Sequence, residues 1–335
     1  MNKYLLICTL VFSSFATQAS NLINDESIKD QKNCFNHIFK DYATWRGFIK
    51  EKRQKRIKSE EKLLKGMAAF DSMFGEEKFN QYKNNLSCIT FKYNVDDLEV
   101  SGYVIKPKSN KKKLPVLIYN RGGNGSYGSV VFGSMMHNLF PIANEGFVII
   151  GSQYRLSRTK GVLLDEFGGK DVNDVIALLD YIPKIKGADE KRIGMYGFSR
   201  GGMQTHLVLK ETSKIKAIAT IAGATDLLKE LDFRPAMEKV YTKRITDYGK
   251  NKVAELEKRS VLNWVSELSP NIPILLLHGE DDKKVSVNNS IELASALAKN
   301  SIPHKLVIYP KDDHGLIKNK EKANEELVSW FREYL

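Results

Sequence analysis

The chain has 335 residues, 42% of them hydrophobic and 27% charged, with a formal net charge of +12. That length buries a sizeable core, and those fractions exclude a disordered, collagen-like or fibrous chain. The basic excess supplies only non-specific attraction to anions, and with no aromatic interleaving or nucleic-acid motif no nucleic-acid partner is expected.

Residues 1–19 hold one lysine, Lys3, then an uncharged apolar run from Tyr4 to Phe15, then small residues through Ala19. This layout predicts a cleavable secretory leader cut after Ala19, and so a periplasmic or extracellular protein. The run is short for a bilayer span and no later segment resembles one, so stable membrane insertion is not expected. Cleavage removes Cys8 and leaves Cys34 and Cys88. In an oxidising compartment two such thiols are expected to form a disulfide.

Residues 20–85 read as a helical N-terminal extension. Cys34, Phe35, Ile38, Phe39, Tyr42, Trp45, Phe48 and Ile49 recur at helical spacing, as do Leu63, Leu64, Met67, Phe70, Met73 and Phe74. The basic stretch from Lys50 to Lys65 is mixed with glutamates and reads as the solvated face of these helices. From residue 86 to 335 the pattern changes. Residues 87–94 and 98–106 alternate apolar and polar around Asp96-Asp97, predicting an antiparallel pair at a sheet edge. Short apolar runs at 115–119, 147–150, 192–196, 215–221, 272–277 and 305–309 suit strands buried on both faces. Helical periods at 134–144, 171–181, 201–210, 288–299 and 320–331 fall between them. Strand and helix in alternation predict an α/β fold with a mostly parallel, doubly wound sheet. Between Thr225 and Pro270 the chain makes a long helical excursion broken at Arg234-Pro235. At the carboxyl end of such a sheet it is expected to overhang the active site, with Leu227 and Leu228 lining an acyl pocket.

Gly197-Phe198-Ser199-Arg200-Gly201 stands between a predicted strand and a predicted helix. This is the G-x-S-x-G nucleophile elbow of the α/β-hydrolase fold in its required setting. The turn leaves no room for side chains two residues either side of the serine, and it presents Ser199 as a nucleophile. It also sets the backbone N–H of Arg200 at a helix N-terminus, where it can donate to a developing oxyanion.

A serine needs a base, and the base a carboxylate that holds its tautomer. In this fold the two follow the serine, acid first. Of six histidines, His37 and His137 precede the elbow on helical segments, His206 follows it on a helix, and His304 begins a strand. His278 ends a strand and reads as too close to the acid to act with it. His314, on a loop after the last strand, is the expected base. The acid lies in Glu280-Asp281-Asp282.

Three segments together resemble the catalytic domain of the prolyl oligopeptidase family of serine peptidases: Gly197 to Gly202 (G-x-S-x-G-G), His278 to Val285 (H-G-x-x-D-x-x-V), and Asp313-His314-Gly315. The likeness runs from Ser87 to the C-terminus. It implies that Asp282, rather than Asp281, is the acid, and that Val285 lines the primary pocket. It also implies that the loop Tyr119-Asn120-Arg121-Gly122-Gly123-Asn124 gives a second oxyanion donor from the N–H of Gly123 or Asn124. Two departures qualify it. Ala222 to Leu228 lacks the aromatic residues of proline-cleaving members, and the extension stands where larger members carry a β-propeller.

The expected function is therefore acyl transfer from a peptide substrate through an acyl-enzyme, without cofactor or metal. A carboxylesterase acting on small esters would use the same triad, since fold and triad do not choose between amide and ester. A binding protein that kept the fold is the third reading, opposed by the intact set of three residues.

Overall fold

The computed structural model describes residues 21–108, 112–156 and 164–335, so the expected leader and its cleavage site lie outside the described residues. Its centre is one nine-stranded sheet in the order β1-β2-β3-β5-β4-β6-β7-β8-β9. Strands β4 (Leu114–Asn120), β5 (Val148–Ser152), β6 (Ala188–Phe198), β7 (Ala217–Ile221), β8 (Ile274–Gly279) and β9 (His304–Tyr309) form its parallel part. β2 (Leu86–Val95) and β3 (Leu98–Pro107) are antiparallel to each other. Asp96 and Asp97, at φ 48° and 60°, make the two-residue turn between them. Positive φ at both positions matches the right-handed twist of a hairpin.

The sheet is covered on both faces, which explains why its central strands read as unbroken apolar runs. Along β4, Val116 and Ile118 enter one core while Leu117 and Tyr119 enter the other. The second core also holds α1 (Tyr42–Gln54), α2 (Glu60–Phe74) and α3 (Glu76–Asn85) through Trp45, Phe70 and Phe79. The extension thus contributes side chains directly to the main fold.

Two expectations about the extension need correction. It is not wholly helical: β1 (Lys29–Asn33) pairs antiparallel with β2 and becomes the sheet edge, so the hairpin β2-β3 lies one strand inside. Five residues, three of them charged, make an edge that resists further pairing. Nor does the first α-helix begin near Cys34; only a single 3-10 turn, His37–Phe39, lies between. Cys34 continues the ladder, its N–H donating to the Cys88 carbonyl at 2.9 Å, and a disulfide joins the two residues across a Cα–Cα distance of 5.3 Å. Helix α1 starts only where Asp41 caps it, its carboxylate accepting from the Thr44 N–H at 2.7 Å. A strong cap sets a helix start more firmly than an apolar period does.

The segment expected as one helix at 134–144 is α4 (Phe132–Ser134), a π-helical stretch Met135–Leu139 and α5 (Phe140–Asn144). Pro141, which lacks an N–H, falls in the first turn of α5, where no intrahelical donor is needed. The 171–181 helix is divided into α6 (Asp171–Ile176) and α7 (Leu178–Tyr181), and α8 (Arg200–Lys210) follows the elbow. The excursion holds α9 (Leu227–Phe233), α10 (Met237–Arg244) and α11 (Tyr248–Arg259). Its apolar faces meet Phe167, Met203 and Val285 in a third, smaller core. α12 (Asn288–Lys299) and α13 (Lys320–Tyr334) complete the two helical layers. No helix among the described residues is long and apolar enough to cross a membrane.

Candidate active site

Ser199 sits between β6 and α8 at φ 58°, ψ −123°, a strained conformation for a residue with a side chain. The backbone holds it there from both sides. Its N–H donates to the Ile221 carbonyl at 2.8 Å and its carbonyl accepts from Gly202 at 2.8 Å. The glycines are sterically required. A Cβ on Gly197 would collide with the Gly201 carbonyl, one on Gly201 with the Asn120 carbonyl, and one on Gly202 would stand 2.6 Å from the Gly223 Cα.

His314 and Asp282 come together from loops after β9 and β8. The His314 Nδ1 donates to the Asp282 Oδ2 at 2.6 Å, and its side chain is 20% exposed while that of Asp282 is buried. A proton held on Nδ1 leaves Nε2 as the basic nitrogen. The imidazole packs against Phe198, the residue before Ser199, with ring centroids 4.8 Å apart. Asp282 is positioned in turn by the N–H groups of Lys284 (2.7 Å) and Val285 (3.1 Å) on its Oδ1. Burial works to raise the Asp282 pKa, but hydrogen bonds from His278, His314 and Lys284 outweigh it and hold the carboxyl well below its usual range. Asp281 is exposed, and its backbone N–H donates to the Asp312 carbonyl.

His278 is closer to this chemistry than its sequence position suggested. It is buried, and its Nε2 faces both the Asp282 Oδ2 (3.2 Å) and the Val285 carbonyl (3.1 Å). Two acceptors on Nε2 require a proton there, so Nδ1 accepts from the Ser290 hydroxyl at 2.7 Å. The proximity that spoke against His278 as the base makes it a second donor to the acid. The spacing of His278 and Asp282 at the end of a strand was the available signal.

The loop after β4 is fastened by two buried arginines. Arg121 donates to the carbonyls of Gly122 (3.0 Å), Gly125 (2.8 Å) and Gln153 (2.7 Å). From the elbow, the Arg200 guanidinium reaches the Gly123 carbonyl at 3.0 Å and grips Asp165 with bonds of 2.8 and 2.7 Å. It also donates to Asp171 at 2.6 Å and packs over the rings of Tyr154 and Phe167. Gly123 has φ 77°, and the N–H groups of Gly123, Asn124 and Arg200 donate to no group among the described residues. Burial opposes ionisation of Asp165, yet the Arg200 charge and the N–H groups of Gly125 and Phe167 keep it below the usual carboxylate range. The side-chain role of Arg200 and its tie to Asp165 had no local signal, because the partners are 35 residues apart.

Val285 and Leu227 are buried together in the third core, with Leu228 part-buried against it. Beside them Glu230 is 3% exposed, and burial pushes its carboxyl up to about 7 despite a 3.0 Å bond from Asn289.

Comparison with known proteins agrees with this geometry. The profile of the prolyl oligopeptidase family matches residues 133–335, more than half of the chain. The uncharacterized peptidase YtmA of Bacillus subtilis is 24% identical over 259 residues, covering 77% of this chain and 98% of that protein. The uncharacterized peptidase YuxL of the same organism is 26% identical over 257 residues, covering 72% of this chain but only 38% of its own length. Among solved structures, the Pyrococcus horikoshii acylaminoacyl peptidase shares the fold at a TM-score of 0.64 and 23% identity. That match covers 75% of this chain and 42% of the archaeal one, so the chain spans less than half of its larger relatives. A doubly wound sheet, a strained serine elbow and a family profile across its catalytic half place this chain in the prolyl oligopeptidase family, among serine hydrolases of the α/β-hydrolase fold.

Proposed function

We propose that this protein is an exported serine peptidase acting through an acyl-enzyme. Ser199 attacks a peptide carbonyl, and the His314 Nε2 takes its proton and passes it to the departing amine. Asp282 holds the imidazole in the required tautomer, and water then resolves the ester. The tetrahedral oxyanion is held by the N–H of Arg200 with that of Gly123 or Asn124. Leu228, part-buried at the edge of the third core, borders the acyl pocket, with Leu227 and Val285 packed behind it. The observation that carries the reading is the 2.6 Å bond between His314 and a buried, ionised Asp282 beside a strained serine elbow. Peptide bonds are preferred as substrate because the relatives are named as peptidases. Export is supported by the layout of residues 1–19 and by the Cys34–Cys88 disulfide, a bond that lasts in oxidising compartments.

The test combines a fluorophosphonate probe with a panel of matched peptide and ester substrates. The wild type should be labelled once, at Ser199, and Ser199→Ala should lose labelling and turnover, by roughly 10⁶-fold in kcat. Turnover retained by a folded Ser199→Ala protein would refute the mechanism. Hydrolysis of esters alone would make the protein a carboxylesterase on the same residues.

A further inference from the structure

A cavity of about 200 Å³ adjoins the proposed triad on the sheet face covered by α13. One wall is Phe198, next to Ser199, and another is Gly315-Leu316, next to His314. Its apolar surface comes from Phe198, Ile221, Leu316 and Leu327, and its polar groups include Tyr119, Tyr196, His137 and Lys320. Among the described residues, no aspartate or glutamate lines it.

One of these groups lacks the partner its burial calls for, and a second is a cation without an ion pair among the described residues. Tyr196 is 2% exposed, and its hydroxyl has no hydrogen-bond partner among the described residues. A hydroxyl left unpaired in the interior is costly and points to an absent acceptor. Lys320 opens α13 half-buried, forms no ion pair among the described residues, and burial pushes its ammonium down to about 8. The first turn of α13 has no side-chain cap, and its one acidic residue, Glu321, is exposed to solvent and does not line the cavity. The cavity thus sets a cation and an unpaired phenolic hydroxyl against apolar walls, with no carboxylate among its described lining residues.

We propose that this cavity binds a carboxylate borne on a compact apolar group, with the carboxylate at Lys320 and the tyrosine hydroxyls and the apolar group against Phe198 and Leu316. The size fits, since an apolar cavity of about 150 Å³ holds benzene. Such a carboxylate has two sources. It is the free C-terminus of a short leaving group, which departs on the side of the imidazole that protonates it, or it is a separate small acid. The first source rests on the proposed peptidase mechanism. The binding site does not.

Binding is tested on the mature Ser199→Ala protein by calorimetric titration with benzoate and, as the uncharged control, benzamide. Benzoate should bind about tenfold or more tightly than benzamide, and Lys320→Met should erase that difference, with a smaller loss in Tyr196→Phe. Circular dichroism and Tm establish that each variant is folded. No benzoate binding at about 10 mM, equal binding of benzamide, or unchanged affinity in both variants would overturn the proposal. The sources separate in the active enzyme. If the carboxylate is the leaving group's, substrates ending in a free acid should show a lower KM than their C-terminal amides, and Lys320→Met should abolish that preference. Benzoate binding without such a preference assigns the site to a separate acid. If Ser199 proved not to be the nucleophile, the titration would still decide the site.

Discussion

Replacing Asp282 by asparagine isolates the orienting role of the acid. The asparagine Oδ1 can still accept from Lys284 and Val285, at 2.7 and 3.1 Å in the parent, so the loop keeps its anchor. Its Nδ2, a donor, then faces two further donors, the His314 Nδ1 and the His278 Nε2. His314 recovers a hydrogen bond only by moving its proton to Nε2, and in that tautomer it cannot accept the serine proton. A triad with this defect loses about 10⁴ in kcat, or about 5.5 kcal/mol of transition-state stabilisation at 1.36 kcal/mol per tenfold. Removing a buried acceptor also costs about 1–3 kcal/mol of stability, so kcat/KM must be measured well below the variant's Tm. Asp281→Asn, at an exposed carboxylate one residue away, should change kcat/KM by no more than about threefold. The assay is kcat/KM for both variants on the best substrate of the peptide and ester panel. An Asp282→Asn enzyme within tenfold of wild type, or a greater loss in Asp281→Asn, would refute the assignment of the acid.

Asp165→Asn should cost about 3–5 kcal/mol in urea unfolding, because it leaves the buried Arg200 with Asp171 as its single ionic partner, and it should lower kcat more than it raises KM. An unchanged kcat in the destabilised protein would show that the clamp does not orient the oxyanion loop. Reducing the Cys34–Cys88 bond, which closes 54 residues, should lower stability by about 4 kcal/mol on the chain-entropy account, and thiol titration of unreduced, denatured mature protein should find no free thiol. For Glu230 the folded pKa of about 7 lies above the ordinary value of 4.5, so the folded state binds the proton more tightly than the unfolded chain. Stability from this group is therefore present at low pH and lost as pH rises through about 7, by up to roughly 3 kcal/mol. Glu230→Gln should be more stable than wild type at pH 8 and show a flatter profile from pH 5 to 8. Identical profiles would contradict the burial argument.

Much of the molecule was legible along the chain because its determinants are local. The elbow is written in six residues, since a serine at positive φ between a strand and a helix excludes side chains at Gly197 and Gly201. The strands of the parallel sheet announce themselves by runs that face two cores, and Asp96-Asp97 by the turn it must make. Helix-breaking at Pro235 follows equally from one residue's covalent geometry, and α9 ends at Phe233 just before it. What the chain alone left open depends on which distant groups the sheet brings within hydrogen-bonding range. β1 has no signature along the chain because its five polar residues carry no strand period, and only the exposed ladder of β2 recruits them. The start of α1 turned on Asp41 winning over an apolar period that ran back to Cys34. His278 and His314 share one carboxylate oxygen because parallel pairing of β8 with β9 aligns their ends, and Arg200 meets Asp165 because the elbow and the loop after β5 converge above the sheet. Periodicity and turn chemistry are properties of neighbours in sequence. The partner a buried polar atom takes is settled by the packing that removes it from water.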